Sequence, residues 1–308
     1  MRVREDVEKL ARAMEEMEKI TVGHEMASRV KKFFGGSRHR GNVSALRIEM
    51  EACLGRLEEV MRGKEMRKSR EEEGGGRRRK LSIGEDTGKR RRTNEDIRDA
   101  VKEWGENMEV AEGKYGHISD WDVGKVTDMS KLFMGMVGFD EDISRWEVGR
   151  VTKMHDMFFK AEKFDGDLGS WDVGSVSNMA CMFAGASSFT GKGLSGWETG
   201  NVRSMFSMFY GAEKFDGDLK EWNTSGCTNM YCMFQGCKEF EGDVGGWVTM
   251  QVGNMTGMFC GAIKFRSDLR GWSTGRCKSM NDMFKGADKF DLSCTDEWVL
   301  GKGCRKNW

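Results

Sequence analysis

The chain has 308 residues, 50 basic and 50 acidic side chains, 41 Gly and no Pro, so its turns must be built from Gly, Asn and Asp. No apolar run approaches the roughly 18 residues of a membrane-spanning helix, and the start MRVREDVEKLARAMEEMEKI lacks the apolar centre of a secretory signal. We therefore expect an intracellular protein, cytoplasmic or nuclear. Residues 1–93 carry 25 Lys and Arg against 17 Asp and Glu, whereas the remainder is acidic, which suggests two regions with different partners.

Residues 1–68 have the apolar spacing of two short helices. Apolar side chains recur at intervals of three and four in the stretches 3–17 and 43–60, which are separated by the breaker GGSRHRGN. Each stretch is shorter than three heptads. The pattern leaves two alternatives open, a helical hairpin that closes on itself and a coiled-coil dimer that doubles the valency of the chain.

Residues 69–92, rich in Gly and charge, are predicted to be a linker with two basic clusters. The clusters are Arg77, Arg78, Arg79 and Lys80, followed by Lys89, Arg90, Arg91 and Arg92. Their spacing is typical of a two-part nuclear import signal, and such clusters also bind phosphates of nucleic acids. The alternative is a merely solvated linker, because no aromatic residue interleaves to stack on bases.

Residues 93–117 are predicted to form a capping helix at the start of the next region. Thr93 and Asp96 have the spacing of a capping box, and Ile97, Val101, Trp104 and Met108 would share one face.

Residues 118–290 contain a repeat of about 25 residues, for which the Trp residues serve as markers. Seven repeats begin at Trp121, Trp146, Trp171, Trp197, Trp222, Trp247 and Trp272, and an eighth Trp follows at Trp298. Each of the seven is followed by the pattern W-x-[VT]-x-x-[VC]-x-x-M-x-x-[ML]-F-x-x-[AMC]-x-x-F. We expect these apolar positions to be the core, with each repeat stabilised by its neighbours.

Within each repeat, the sequence predicts a short strand and a short helix. The stretch around W-x-V alternates like a strand, and M-x-x-M-F-x-x-A has helical spacing. Before its first Met stands a residue able to cap a helix, namely Asp128, Asn178, Ser204, Asn229, Asn254 or Ser279, with Lys153 as the exception. The predicted fold class is therefore an α/β repeat solenoid of seven strand-plus-helix coils, with residues 291–308 as a C-terminal cap.

The segments GHISDWDVGKVTDMSKLF and FDGDLGSWDVGSVSNMACMF resemble the BspA-like bacterial surface protein repeat, which includes a mycoplasma-lipoprotein-type domain of unknown function. AVKEWGENMEVAEGKYG is similar to the entry segment of that family, and the resemblance covers about residues 94–308. It implies a leucine-rich-repeat-like solenoid, often at the cell surface, that acts in adhesion or protein binding. The resemblance implies no catalytic residues.

Two columns of residues offer alternatives to pure packing. Asp142, Asp167, Asp218, Asp243 and Asp268 recur at one position, where they could bind Ca²⁺ or accept hydrogen bonds from turn amides. The nine Cys show no C-x-x-C pair, and Cys227, Cys237 and Cys277 stand in apolar columns, so we expect them to be packing residues without redox chemistry.

The residue directly after each Trp would face away from the core and is the candidate protein-contact face. These residues, here called the contact column, are Asp122, Glu147, Asp172, Glu198, Asn223, Val248 and Ser273. The first four are acidic and suit a basic partner. No nucleophile, acid–base pair or metal-ligand set emerges, so we expect a non-catalytic protein-binding scaffold without a cofactor. The alternative function is a nuclear or nucleic-acid-associated protein that acts through residues 77–92.

Overall fold

The computed structural model describes residues 91–307. The hairpin or coiled coil predicted for residues 1–68 and all but the last two residues of the linker 69–92 lie outside this part. Two α-helices occur in it, α1 (Ile97–Glu106) and α2 (Met108–Tyr115). Three 3-10 turns follow at Ile118–Asp120, Leu194–Gly196 and Leu292–Thr295. The rest of the described chain is built from tight turns.

The predicted capping helix is two helices rather than one. The chain is extended at Asn107, with φ −156°, and the Asn107 side chain accepts the amide of Val110 at 3.2 Å to start α2. Upstream, the Asp96 carboxylate accepts the Thr93 amide at 2.7 Å, as the capping-box spacing suggests. The break leaves Met108 46% exposed instead of extending the buried face of α1.

The predicted fold class, a leucine-rich-repeat-like α/β solenoid of strand-plus-helix coils, is wrong. Residues 118–290 contain no α-helix, and each pair of neighbouring repeats shares only one isolated parallel bridge. The bridges link Asp128, Lys153, Asn178, Ser204, Asn229, Asn254 and Ser279 in succession.

Alternating hydrogen bonds replace the predicted helix. In repeat 1, the amides of Met129 and Lys131 donate to carbonyl oxygens of repeat 2, at 3.0 Å each. The amide of Leu132, between two such donors, turns back to the Met129 carbonyl at 3.3 Å. An α-helix would require every amide to bond four residues back within its own segment. Half of these amides are instead used to join the next repeat.

A left-handed residue also interrupts each predicted helix. The residue two positions after the first Met of each repeat has φ between 49° and 61°. These residues are Lys131, Asp156, Cys181, Ser207, Cys232, Gly257 and Asp282. A right-handed helix cannot continue through this conformation, which costs about 1–2 kcal/mol for a non-Gly residue. The three-and-four spacing of Met and Phe is thus satisfied by successive tight turns.

The predicted helix-capping residues cap these turns instead. Asp128 Oδ1 accepts the amide of Ser130 at 2.9 Å, and Asn229 Oδ1 accepts that of Tyr231 at 3.0 Å. A side chain that bonds the amide two residues ahead is an Asx turn, which competes with a helix start.

The core consists of aromatic columns that run through the repeats. The Trp rings of neighbouring repeats stack at 6.0–6.5 Å between centroids in five pairs, and the column that starts at Phe133 stacks at 5.3–5.8 Å. A second Phe column starts at Phe139 and stacks at 5.4–6.1 Å. These rings are buried, as predicted for the core positions.

The indole N–H groups fix the register of the repeats. From Trp146 to Trp298, each indole N–H donates to the carbonyl oxygen of the Ile, Leu or Val that lies three residues before the preceding Trp. These hydrogen bonds are 2.8–3.2 Å long. Trp121 donates to Gly116 at 3.0 Å. Trp104 of α1 differs, because its buried N–H has no hydrogen-bond partner and its ring packs edge-on against Trp121 and His117.

The position two residues after each Trp changes from Val to Thr along the chain. Repeats 1–3 bury Val123, Val148 and Val173, whereas repeats 4–7 bury Thr199, Thr224, Thr249 and Thr274. Each Thr hydroxyl donates to a backbone carbonyl oxygen after the next Trp, at 2.9–3.1 Å. Repeats 4–7 therefore carry one side-chain hydrogen bond per junction that repeats 1–3 lack.

Candidate protein-contact surface

The contact column lies at the surface, between positions that are buried. In repeat 3, Trp171 and Val173 point into the core and Asp172 is exposed. A tight turn follows, in which the Val176 amide donates to the Val173 carbonyl at 2.9 Å. Six residues of the column, all except Asp122, are exposed. A side chain in this column can change without disturbing the core.

Asp122, at the start of the column, is held by the N-terminal cap. Its carboxylate accepts Arg91 Nε at 2.9 Å and the Gly124 amide at 3.1 Å, and its carbonyl accepts the Arg92 amide at 2.6 Å. Asp122 is therefore a structural residue as much as a surface one.

Arg91 and Arg92, the last two residues of the predicted basic signal, pack against the N-terminal cap. Arg92 is 4% exposed, pairs with Asp96 at 2.9 Å, and lies over the rings of Tyr115 and Trp121 at 5.0 and 5.6 Å. Arg91 joins Asp122 through a parallel bridge. Both Arg residues pack on the N-terminal cap, and the other six residues of the predicted basic signal lie outside the described part.

A shallow acidic cavity of about 390 Å³ opens beside the contact column at repeats 3–5. Glu198 and Asn223 of the column line it, together with Glu221 and several Gly residues. Gly196 borders open space in this cavity, because a Cβ added to it would have no atom within 4 Å. Within residues 91–307, neither Glu198 nor Glu221 forms an ion pair. The arrangement suits a cationic side chain of a partner.

Glu221 was not among the residues predicted from the sequence. It directly precedes Trp222, at a position where neighbouring repeats carry Gly196 and Gly246. The presence of Glu in place of Gly, one residue before the Trp, is the sequence feature that could have indicated this residue.

The surface changes character further along the chain. In repeat 6, Val248 and Met250 are 44% and 52% exposed. In repeat 7, Arg276 donates to Gln251 at 2.5 Å. The contact column thus changes from four acidic residues to the uncharged Asn223, Val248 and Ser273.

The Asp column supports turns. Each carboxylate of the column accepts a hydrogen bond of 2.9–3.1 Å from the backbone amide two residues ahead. The residues are Asp142, Asp167, Asp218, Asp243 and Asp268. Hydrogen bonds from Ser144 lower the pKa of Asp142, and those from Arg270 lower the pKa of Asp268. In the described part of the chain, no three His, Cys, Asp or Glu side chains are grouped as metal ligands.

The Cys residues of the apolar columns are buried. Cys237 donates from its thiol to the Phe209 carbonyl at 3.0 Å, and burial raises the pKa of the Cys227 thiol to about 11. Both thiols are therefore protonated near neutral pH, in agreement with a packing role. None of the described helices is long and apolar enough to cross a bilayer.

The aromatic columns and the regular junctions define a repeat protein made of short turns. The sequence profile of the family described as "Mycoplasma protein of unknown function, DUF285" matches residues 102–197 and 190–298. These matches span more than half of the chain, so the protein belongs to this family. The match supports a mycoplasma-type repeat domain and not the BspA-like leucine-rich-repeat type specifically. No curated protein and no solved structure matches the chain significantly.

Proposed function

We propose that this chain is a non-catalytic protein-binding scaffold that contacts its partner through the contact column and the adjoining acidic cavity. The observation that carries the proposal is the contrast within one repeat: Trp171 and Val173 are buried while Asp172 between them is exposed. Repeat proteins acquire specificity by varying such positions on a fixed frame. Adhesion, which the BspA-like resemblance implies, would be one form of this activity.

The chemistry of the cavity indicates a basic partner. Glu198 and Glu221 share a cavity and are both exposed, and Asn223 adds an amide beside them. A Lys or Arg side chain that enters between the carboxylates would make charge-assisted hydrogen bonds. Val248 and Met250 would add apolar contact area further along the same surface.

The test is a capture experiment with full-length protein in an extract of its own cells. The double variant Glu198→Gln, Glu221→Gln removes the cavity charges and keeps the side-chain size. We expect retention of the bound protein to fall about tenfold, equivalent to roughly 1.4 kcal/mol, as measured by quantitative mass spectrometry.

The matched control is Glu162→Gln, Glu213→Gln, which removes two exposed carboxylates from another column. We expect the control to keep its partners, because Glu213 contributes only an exposed ion pair with Lys238. Equal retention by the wild type and the cavity variant would refute the cavity as a contact site. Equal loss in both variants would show attraction by general charge alone.

A further inference from the structure

The chain after repeat 7 continues as a partial eighth repeat. Trp298 stacks on Trp272 at 6.2 Å and donates its N–H to the Leu269 carbonyl at 3.1 Å. The hydroxyl of Thr274 donates to the Val299 carbonyl at 2.9 Å. The predicted C-terminal cap is therefore attached through the same contacts that join complete repeats.

Two thiols meet at this last junction. The backbone at Gly301 runs against Cys277, so closely that a Cβ on Gly301 would lie 2.2 Å from the Cys277 carbonyl oxygen. The Cys304 amide then donates back to Gly301 at 3.0 Å, and Cys304 packs against the core. The Cys277 and Cys304 thiols are near enough for each to affect the pKa of the other.

We infer that Cys277 and Cys304 are a site of oxidative modification, at which a disulfide ties the C-terminal cap to repeat 7. Both residues are free thiols in this structure, and Cys304 is partly exposed while Cys277 is buried. A small oxidant therefore reaches Cys304 first, and Cys277 is the neighbouring thiol that completes the bond. The Cys277 thiol donates to the Ser279 carbonyl at 3.2 Å, as Cys227 and Cys237 donate to other backbone carbonyl oxygens, and it differs from them in having the Cys304 side chain beside it.

The oxidant is a small-molecule disulfide such as oxidised glutathione. The Cys304 thiolate attacks one sulfur of it, forms a mixed disulfide and releases one small thiolate. The Cys277 thiolate then attacks the Cys304 sulfur and releases the second small thiol. Two protein thiols are oxidised, one small disulfide is reduced to two thiols, and two protons from the protein thiols pass to the released sulfurs.

Ionisation makes this reaction depend on pH. Burial raises the pKa of Cys304 above its usual value and contributes most to raising that of Cys277 to about 12. Because only the thiolate attacks, we expect the rate of bond formation to increase severalfold per pH unit between pH 7 and 9.

The experiment exposes the full chain to oxidised glutathione and maps its disulfides. Trypsin is unsuitable because Arg276, Lys278, Lys302 and Arg305 reduce both sites to very short peptides, so chymotrypsin is used. We expect one linked pair of peptides, containing residues 277 and 304, and a rise in Tm of roughly 5 °C that a reductant reverses.

Three variants decide the outcome. Cys277→Val restores the residue of the apolar column and should fold, whereas Cys304→Ser changes a partly exposed site, and both should abolish the linked peptides and the rise in Tm. Cys294→Ser, a partly exposed control, should retain both. The inference is overturned if Cys304 stops at the mixed disulfide with glutathione, or if the linked peptides contain another pair.

Discussion

At the scale of single residues, the indole N–H of each repeat Trp combines burial with a hydrogen bond. Trp222 is 3% exposed and donates to the Leu194 carbonyl at 2.8 Å. A buried carbonyl that loses its donor cannot recover the bond from water. Each Trp of the column thus stabilises the fold through its N–H hydrogen bond as well as through the apolar area that it buries.

The comparison of Trp222→Phe with Trp104→Phe tests this dual role. Both changes remove a similar apolar area, but Trp104 has no N–H hydrogen bond to lose. We expect Trp222→Phe to lower the free energy of unfolding by about 1–3 kcal/mol more than Trp104→Phe does. Denaturant unfolding measures both, and equal losses would show that the N–H bonds contribute nothing.

Residue identity also explains what the sequence could and could not predict about the site. The contact column was predictable because W-x-[VT] places one side chain between two buried ones, a pattern that holds for strands and for these turns alike. Glu221 stands before the Trp, outside that pattern. The packing of Arg92 depends on the rings of Tyr115 and Trp121, which are distant in sequence.

At the scale of the element, one apolar spacing is compatible with two backbones. M-x-x-M-F-x-x-A places its large side chains on one side of a helix, and a series of tight turns does the same here. The deciding feature is the left-handed residue, which is Gly only in repeat 6 and is Lys, Asp, Cys or Ser elsewhere. Gly at this position would have indicated a positive φ, but Lys, Asp, Cys and Ser do not. The sequence therefore predicted a helix here, which is wrong.

Substitutions at Ser207 distinguish turn from helix by the sign of the effect. Ser207 has φ 49°, so Ser207→Gly should relieve backbone strain and raise the free energy of unfolding by about 0.5–1 kcal/mol. In a helix the same change would lower it by a similar amount. Ser207→Val should be destabilising because a β-branched residue is disfavoured at positive φ. Thermal unfolding of the two variants measures the effect, and destabilisation by Gly would contradict the turn structure.

At the scale of the whole molecule, carboxylates that cap turns recur along the chain. Hydrogen bonds from Ser144 and Ser293 lower the pKa of Asp142 and of Asp291, respectively. A carboxyl whose pKa is lower in the folded than in the unfolded protein contributes stability above its unfolded pKa. That stability is lost as the pH falls through the folded value.

We therefore expect Tm to be insensitive to these groups above about pH 5 and to decline steadily as the pH is lowered from about 4 to 2. Calorimetry in a pH series measures this decline. Asp142→Asn should flatten the curve slightly, and a Tm that rises on acidification below pH 4 would contradict the proposed role of the turn carboxylates.

The repeat register and the core were predictable from the sequence because the Trp spacing fixes both. The N-terminal break at Asn107 and the close approach of Gly301 to Cys277 were not, since each depends on local geometry that periodicity does not encode. The expectation that the Cys residues pack without redox chemistry stays a prediction, and the experiment with oxidised glutathione tests it.

The Val-to-Thr change along the chain makes the two halves of the repeat array unequal. The junctions that begin at Thr199, Thr224, Thr249 and Thr274 each have a Thr hydroxyl hydrogen bond, for which Val123, Val148 and Val173 have no counterpart. We expect replacement of one of these Thr residues by Val to weaken its junction, because the acceptor carbonyl would lose its hydrogen bond. A partner that binds Glu198 would contact the chain next to Thr199, the first residue whose hydroxyl joins two repeats in this way.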